Sequence, residues 1–163
     1  MRGTHHARQR LVAAGAALSI VSVVGFGLCL VFQWPSQFVL GAVADARVTL
    51  ADVVTGTVLS PPLAPWAVLV VATALAGSRR WWGTVATGVL CVLGVVFAIG
   101  GWGEAFGPAN PSVPRAVLVA GGVAWMVLGL SLPLFGVRAL RERRRGGPAR
   151  TDPRTFTAPE QTL

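Results

Sequence analysis

The 163-residue sequence predicts an all-α integral membrane protein, an antiparallel four-helix transmembrane bundle with a short outer amphipathic helix. Three observations predict it. Only 12% of the residues are charged, about half the share found in a soluble domain. The apolar residues gather into runs of the length that crosses a hydrocarbon core of about 30 Å. The arginines fall almost entirely in alternate segments between those runs, the pattern left when cytoplasmic segments retain positive charge. The formal charge of +8 is thus set apart from the apolar runs. A nucleic-acid binder carries such charge on a soluble fold, so no nucleic-acid partner is expected.

Residues 1–10 read as a basic cytoplasmic tail containing Arg2, Arg8 and Arg10. Span one covers 11–33 and has no formal charge. Its apolar core is too long for a signal peptide, and the small-residue site at Ala42 to Ala44 lies too far beyond it, so an uncleaved anchor is expected. The outer loop, 34–60, contains a helix start at Thr49 with Asp52 in the first turn. Leu50, Val53, Val54 and Val58 then share one helical face, which predicts a short amphipathic helix on the outer surface. Span two, 61–78, is the shortest, with Ser60 as its cap and Pro61 at the first helical position. Spans three and four cover 81–101 and 114–137. Between them, Asn110-Pro111 marks a turn, bracketed by Glu104 and Arg115 as a possible ion pair. Pro133 predicts a kink in span four. The tail 138–163 starts with a helical extension, which stops at Gly146-Gly147-Pro148. A disordered remainder is expected to follow.

Orientation follows from the arginines. Arg2, Arg8, Arg10, Arg79, Arg80 and all those beyond Val137 fall on one side of a four-span chain, against only Arg47 and Arg115 on the other. Both termini are therefore expected in the cytoplasm. Trp34, Trp66 and Trp102 fall at the outer span ends and Trp81 and Trp82 at the inner start of span three, where indole rings favour the headgroup region. Arg138, Arg141, Arg143, Arg144 and Arg145 form a cluster that anchors this topology and is able to meet anionic lipid. The Arg-only basic set and the Ala/Val/Gly-rich spans suit the plasma membrane of a high-GC bacterium.

No ionisable residue lies in the central part of any span, which argues against a proton relay, pump or charge-selective channel. Without lysine there is no Walker A motif, and neither HExxH nor CxxC occurs. The adjacent His5 and His6 belong to a solvated tail. Cys29 and Cys91 differ in depth by about 12 Å along their spans, beyond the Cα separation of about 7 Å that a disulfide allows. No catalytic, cofactor or metal site is expected.

Small residues instead supply packing. Gly15 with Ser19, Gly83 with Thr87 and Cys91, and Ala116 with Ala120 and Ala124 recur every four residues, a spacing that lets helix backbones approach closely in lipid. Trp125, near the middle of span four, is the one large polar aromatic there. Its indole N–H needs an acceptor, with Ser19, Ser22 and Thr73 as candidates. It either wedges the bundle or lines a cavity.

In span count and in its long first outer loop, the chain over residues 11–137 is similar to small DoxX-type bacterial membrane proteins, a likeness of order that implies a four-helix bundle. The resemblance would imply a redox-associated role, but the acidic residue such proteins often carry in span two is absent here. The expected function is non-enzymatic and contact-mediated, as a subunit or partner of a membrane complex. The expected partners are membrane lipids and a second copy or another membrane protein. The alternative is a transport or binding protein for a neutral solute or lipid.

Overall fold

A computed structural model describes residues 4–34, 49–57, 59–78, 80–107 and 113–145. Helix makes up 86% of these residues. The four α-helices are α1 (Thr4–Phe32), α2 (Leu63–Ala76), α3 (Trp81–Phe106) and α4 (Arg115–Arg145). Three of them, α1, α3 and α4, are long and apolar enough to cross a membrane. At 1.5 Å per residue they measure about 44, 39 and 46 Å, and α2 about 21 Å.

Local chemistry sets the helix ends. Helix α1 starts at Thr4, so much of the expected N-terminal tail is helical. It stops in a Schellman turn: Gln33 takes a positive φ of 55°, and Trp34 N–H donates to the Cys29 carbonyl at 3.1 Å, the closing bond of that motif. The Gln33 amide also donates to the Leu30 carbonyl at 2.6 Å. Helix α2 starts two residues later than expected. Pro62, not Ser60, is its N-cap, and Pro65 falls in the first turn, where a missing N–H costs no hydrogen bond. Helix α4 runs unbroken across Pro133 to Arg145. The expected disordered tail, the Asn110-Pro111 turn, Arg47 and Arg79 lie outside the described residues.

The outer amphipathic helix is reduced to one 3-10 turn, Leu50–Val53. Its start is as expected from residue type, since Asp52 accepts from both the Thr49 backbone N–H at 2.7 Å and the Thr49 hydroxyl at 3.0 Å. Gly56 ends it with a φ of 85°, a conformation open to glycine and costly to most residues. Leu50 and Val54 are exposed rather than sequestered. Burial in this loop begins at the glycine, with Thr57, Leu59 and Ser60 buried after it.

Contacts between helices run in opposite residue order. Arg8 lies beside Gly77, Gly15 against Thr73 and Gly25 against Leu59. Gly83 lies against Arg143, Gly94 against Gly129 and Gly101 against Gly122. The principal core joins Leu11, Leu18, Leu69, Leu90, Phe97, Trp125 and Leu132. A smaller cluster of Cys29, Trp34, Leu59, Val113 and Leu118 closes the far end. Outside this core, Ile20, Val31, Val92, Ile99 and Val127 are each more than 60% exposed. Contiguous apolar surface of this kind marks an interaction or membrane face.

Candidate functional site: the two cavities beside Trp125

Helices α3 and α4 build the scaffold. The buried positions of α4 are Leu118, Gly122, Trp125, Gly129, Leu132, Gly136 and Ala139. Their alternating steps of four and three residues make a single seam. Glycine recurs there every seventh residue and meets Thr87, Gly94 and Gly101, which repeat at the same interval on α3. A Cβ on Gly129 would stand 2.7 Å from the Gly94 carbonyl oxygen and 2.9 Å from the Ala98 nitrogen. Gly136 likewise makes room for the Cys91 thiol. The carbonyl that Pro133 deprives of its helical amide belongs to Gly129, and it faces Gly94 across this seam. Close backbone approach is what holds helices together where lipid removes the hydrophobic drive.

The four-residue stripe of alanines falls elsewhere. Ala116 and Ala120 are exposed and Ala124 is half-buried. Simple spacing could not separate the two sets, because both place small residues on one side of a helix. The seven-residue recurrence of glycine on α3 and α4 was the signal that distinguished them.

Gly15 lies against the Thr73 hydroxyl, and Ser19 is half-buried. Ser19 donates to the Gly15 carbonyl at 2.9 Å, Ser22 to Leu18 at 2.7 Å, Thr73 to Leu69 at 2.7 Å and Thr87 to Gly83 at 2.6 Å. Each hydroxyl thus returns a bond to its own helix, which satisfies it in an apolar surround. Among the described residues no hydrogen bond joins Trp125 to Ser19, Ser22 or Thr73. Trp125 instead packs edge-to-face on Phe97, with ring centroids 5.4 Å apart, a geometry that suits the aromatic quadrupoles.

The arginine cluster divides. Arg138, Arg141 and Arg144 are exposed. Arg143 continues the α4 seam and turns inward, donating to the Ala76 carbonyl at 3.2 Å, the Ser78 carbonyl at 3.0 Å and the Thr84 hydroxyl at 3.1 Å. It satisfies carbonyls left open at the end of α2 while gripping the start of α3. Gly83 is the residue that leaves space for it, since a Cβ there would stand 2.8 Å from the guanidinium. At the other end, Arg115 donates to Ala105 and Gly107 carbonyls at 2.8 and 3.0 Å. The expected Glu104–Arg115 pair is absent among the described residues, because the end of α3 takes that guanidinium.

Two cavities share Trp125. One, of about 460 Å³, is a lateral groove between α1 and α4, lined by Ile20, Val24, Leu28, Ala116, Ala120 and Gly121 among others. The second, of about 160 Å³, is bounded by Glu104, Phe97, Gly100, Ser60, Pro62 and Pro65. Leu59 lines the first and Ser60 the second, so the Thr57–Ser60 turn, with backbone hydrogen bonds of 2.9 and 3.1 Å, partitions them with Trp125. Leu59 is wedged between Gly25 of α1 and Gly121 of α4. Glu104 was expected in an outer turn. Because α3 extends to Phe106, it lies within the helix, and its Oε2 is buried with no hydrogen-bond partner.

Comparison with known protein families, with curated proteins and with solved structures finds no match to this chain.

Proposed function

We propose that this chain is a multi-pass plasma-membrane protein whose role is to contact a partner helix rather than to catalyse a reaction. The supporting observation is the alanine face of α4. Ala116 and Ala120 lie beside a groove that no helix among the described residues fills, and small residues at this spacing suit a close transmembrane contact. The reading takes α2 as the fourth span of an antiparallel bundle. In support, Arg8 meets Gly77 and Gly25 meets Leu59, so residues 59–77 accompany about 26 Å of α1. The end shared by Arg8, Arg80, Arg141 and Arg143 is then cytoplasmic, with both termini. A reporter fused after Gly56 and another after Leu163 tests this: an inward Gly56 would overturn it. Crosslinking in native membranes, followed by purification in mild detergent, tests the role. A partner or second copy held through Ala116 and Ala120 is expected, and a monomer without any crosslinked product would refute it.

A second reading has its own support. The same groove is almost wholly apolar and reaches Trp125, which suits a neutral lipid chain or solute. In that case Trp125→Ala changes the binding of such a molecule. If it changes stability alone, this reading fails.

A further inference from the structure

The smaller cavity holds a carboxyl group whose buried oxygen finds no hydrogen-bond partner. Glu104 projects from the last turn of α3, and its Oε2 is buried without a hydrogen bond. Arg115, at the start of α4, spends both terminal nitrogens on the Ala105 and Gly107 carbonyls. An unpaired carboxylate in an apolar enclosure is costly and takes a proton or a cation.

The rest of the wall says which cation. Trp125 and Phe97 form one side, and an indole face is the best aromatic partner for a positive charge. Pro61, Pro62 and Pro65 line another side and bring no backbone N–H. Ser60 is the only hydroxyl. A hard metal ion needs about six oxygen ligands, far more than this wall supplies. An anion meets the Glu104 carboxyl and, for side-chain donors, only the Ser60 hydroxyl and the Trp125 indole N–H. An organic ammonium needs one countercharge, an aromatic surface and little hydrogen bonding, and those are the features present. The space of about 160 Å³ limits it to a compact head.

We propose that the Glu104 cavity binds a compact organic ammonium ion, with the carboxylate as countercharge and Trp125 as aromatic wall. The site is separate from the alanine face, and the proposal does not require a partner helix.

The test uses the full chain in lipid nanodiscs, with phenyltrimethylammonium as probe and tert-butylbenzene as its uncharged isostere, followed by tryptophan fluorescence and calorimetry. Saturable binding of the ammonium is expected, at least about tenfold tighter than any binding of the isostere, a difference of about 1.4 kcal/mol. Glu104→Gln should abolish that preference. Gly100→Leu should block entry without disturbing the fold, since Gly100 lines the cavity and a Cβ there meets no atom within 4 Å. Equal binding of the charged and uncharged probes would overturn the proposal, as a protonated Glu104 predicts. So would an undiminished preference in folded Glu104→Gln, or no saturable ammonium binding by the folded wild-type chain.

Discussion

Helix α4 presents glycines on one face and alanines on another, and the two sets do different work. On the first, Gly122, Gly129 and Gly136 recur every seventh residue and bring the α3 backbone into direct contact. On the second, Ala116 and Ala120 recur every fourth residue and look out beside an empty groove. The lesson concerns period. A seven-residue repeat keeps its face towards a neighbour along the whole helix, as in a coiled coil. A four-residue repeat drifts around the helix and serves a shorter, steeper crossing. The fold uses the first internally and leaves Ala116 and Ala120 of the second exposed.

The strongest way to break this comparison is to enlarge the glycine seam. Gly129→Leu places a branched side chain where even a Cβ would meet the Gly94 carbonyl and the Ala98 nitrogen. The neighbours are backbone atoms that have no room to retreat, so the cost should exceed the usual overpacking range of about 1 to 3 kcal/mol. The expected outcome is loss of folded protein from the membrane, read as aggregation on detergent extraction. Gly88→Leu, at a position with open space on α3, the other seam-forming helix, should extract normally. If both variants behave alike, close approach at the seam is not what holds α3 to α4.

Leu59→Ala should have the next largest effect. Leu59 is 5% exposed and rests on Gly121, between the two stripes, and on Gly25. Truncating it opens the partition between the cavities, at a cost of about 2 to 5 kcal/mol. Thermal unfolding in mild detergent would register this as a lowered midpoint. A smaller shift would mean that the turn covers the bundle without bracing it.

The helices and their order were legible because hydropathy and arginine placement report on whole segments. Residues such as Leu59 and Glu104 were not. Leu59 was only one apolar residue of the expected outer loop, and its burial depends on Gly56 ending the short helix before it and on two glycines from distant spans. Glu104 looked like a loop carboxylate because its helix was expected to stop at Gly101, whereas Arg115, from the next helix, stabilises the carbonyls at Ala105 and Gly107. Tertiary partners decide both cases. For the arginine cluster, charge alone could not single out Arg143. Register with Gly136 and Ala139 does so.

That register gives a third prediction. Arg143→Gln removes a charged donor from three acceptors, on α2, on the link after it and on α3, and should destabilise the bundle by about 2 kcal/mol. Arg141→Gln, at an exposed position, should leave unfolding unchanged. Equal effects of the two would reduce the cluster to its net charge, and the inward turn of Arg143 would lose its significance.

The smallest effect on stability belongs to the alanine face, and there it is most informative. Ala120 is exposed and borders the groove, so Ala120→Leu meets no internal neighbour that must move. Surface substitutions of this kind change stability by about 0.5 kcal/mol or less, and the unfolding midpoint should stay within that range. A leucine on a small-residue contact nevertheless separates the two backbones that depend on it. Crosslinked product in native membranes should therefore fall sharply, while extraction and unfolding remain those of the wild type. A loss of stability alongside the loss of crosslinking would place Ala120 within the bundle's own packing and erase the distinction between the faces. Unchanged crosslinking in a stable variant would keep the distinction and move the partner's contact to another exposed surface.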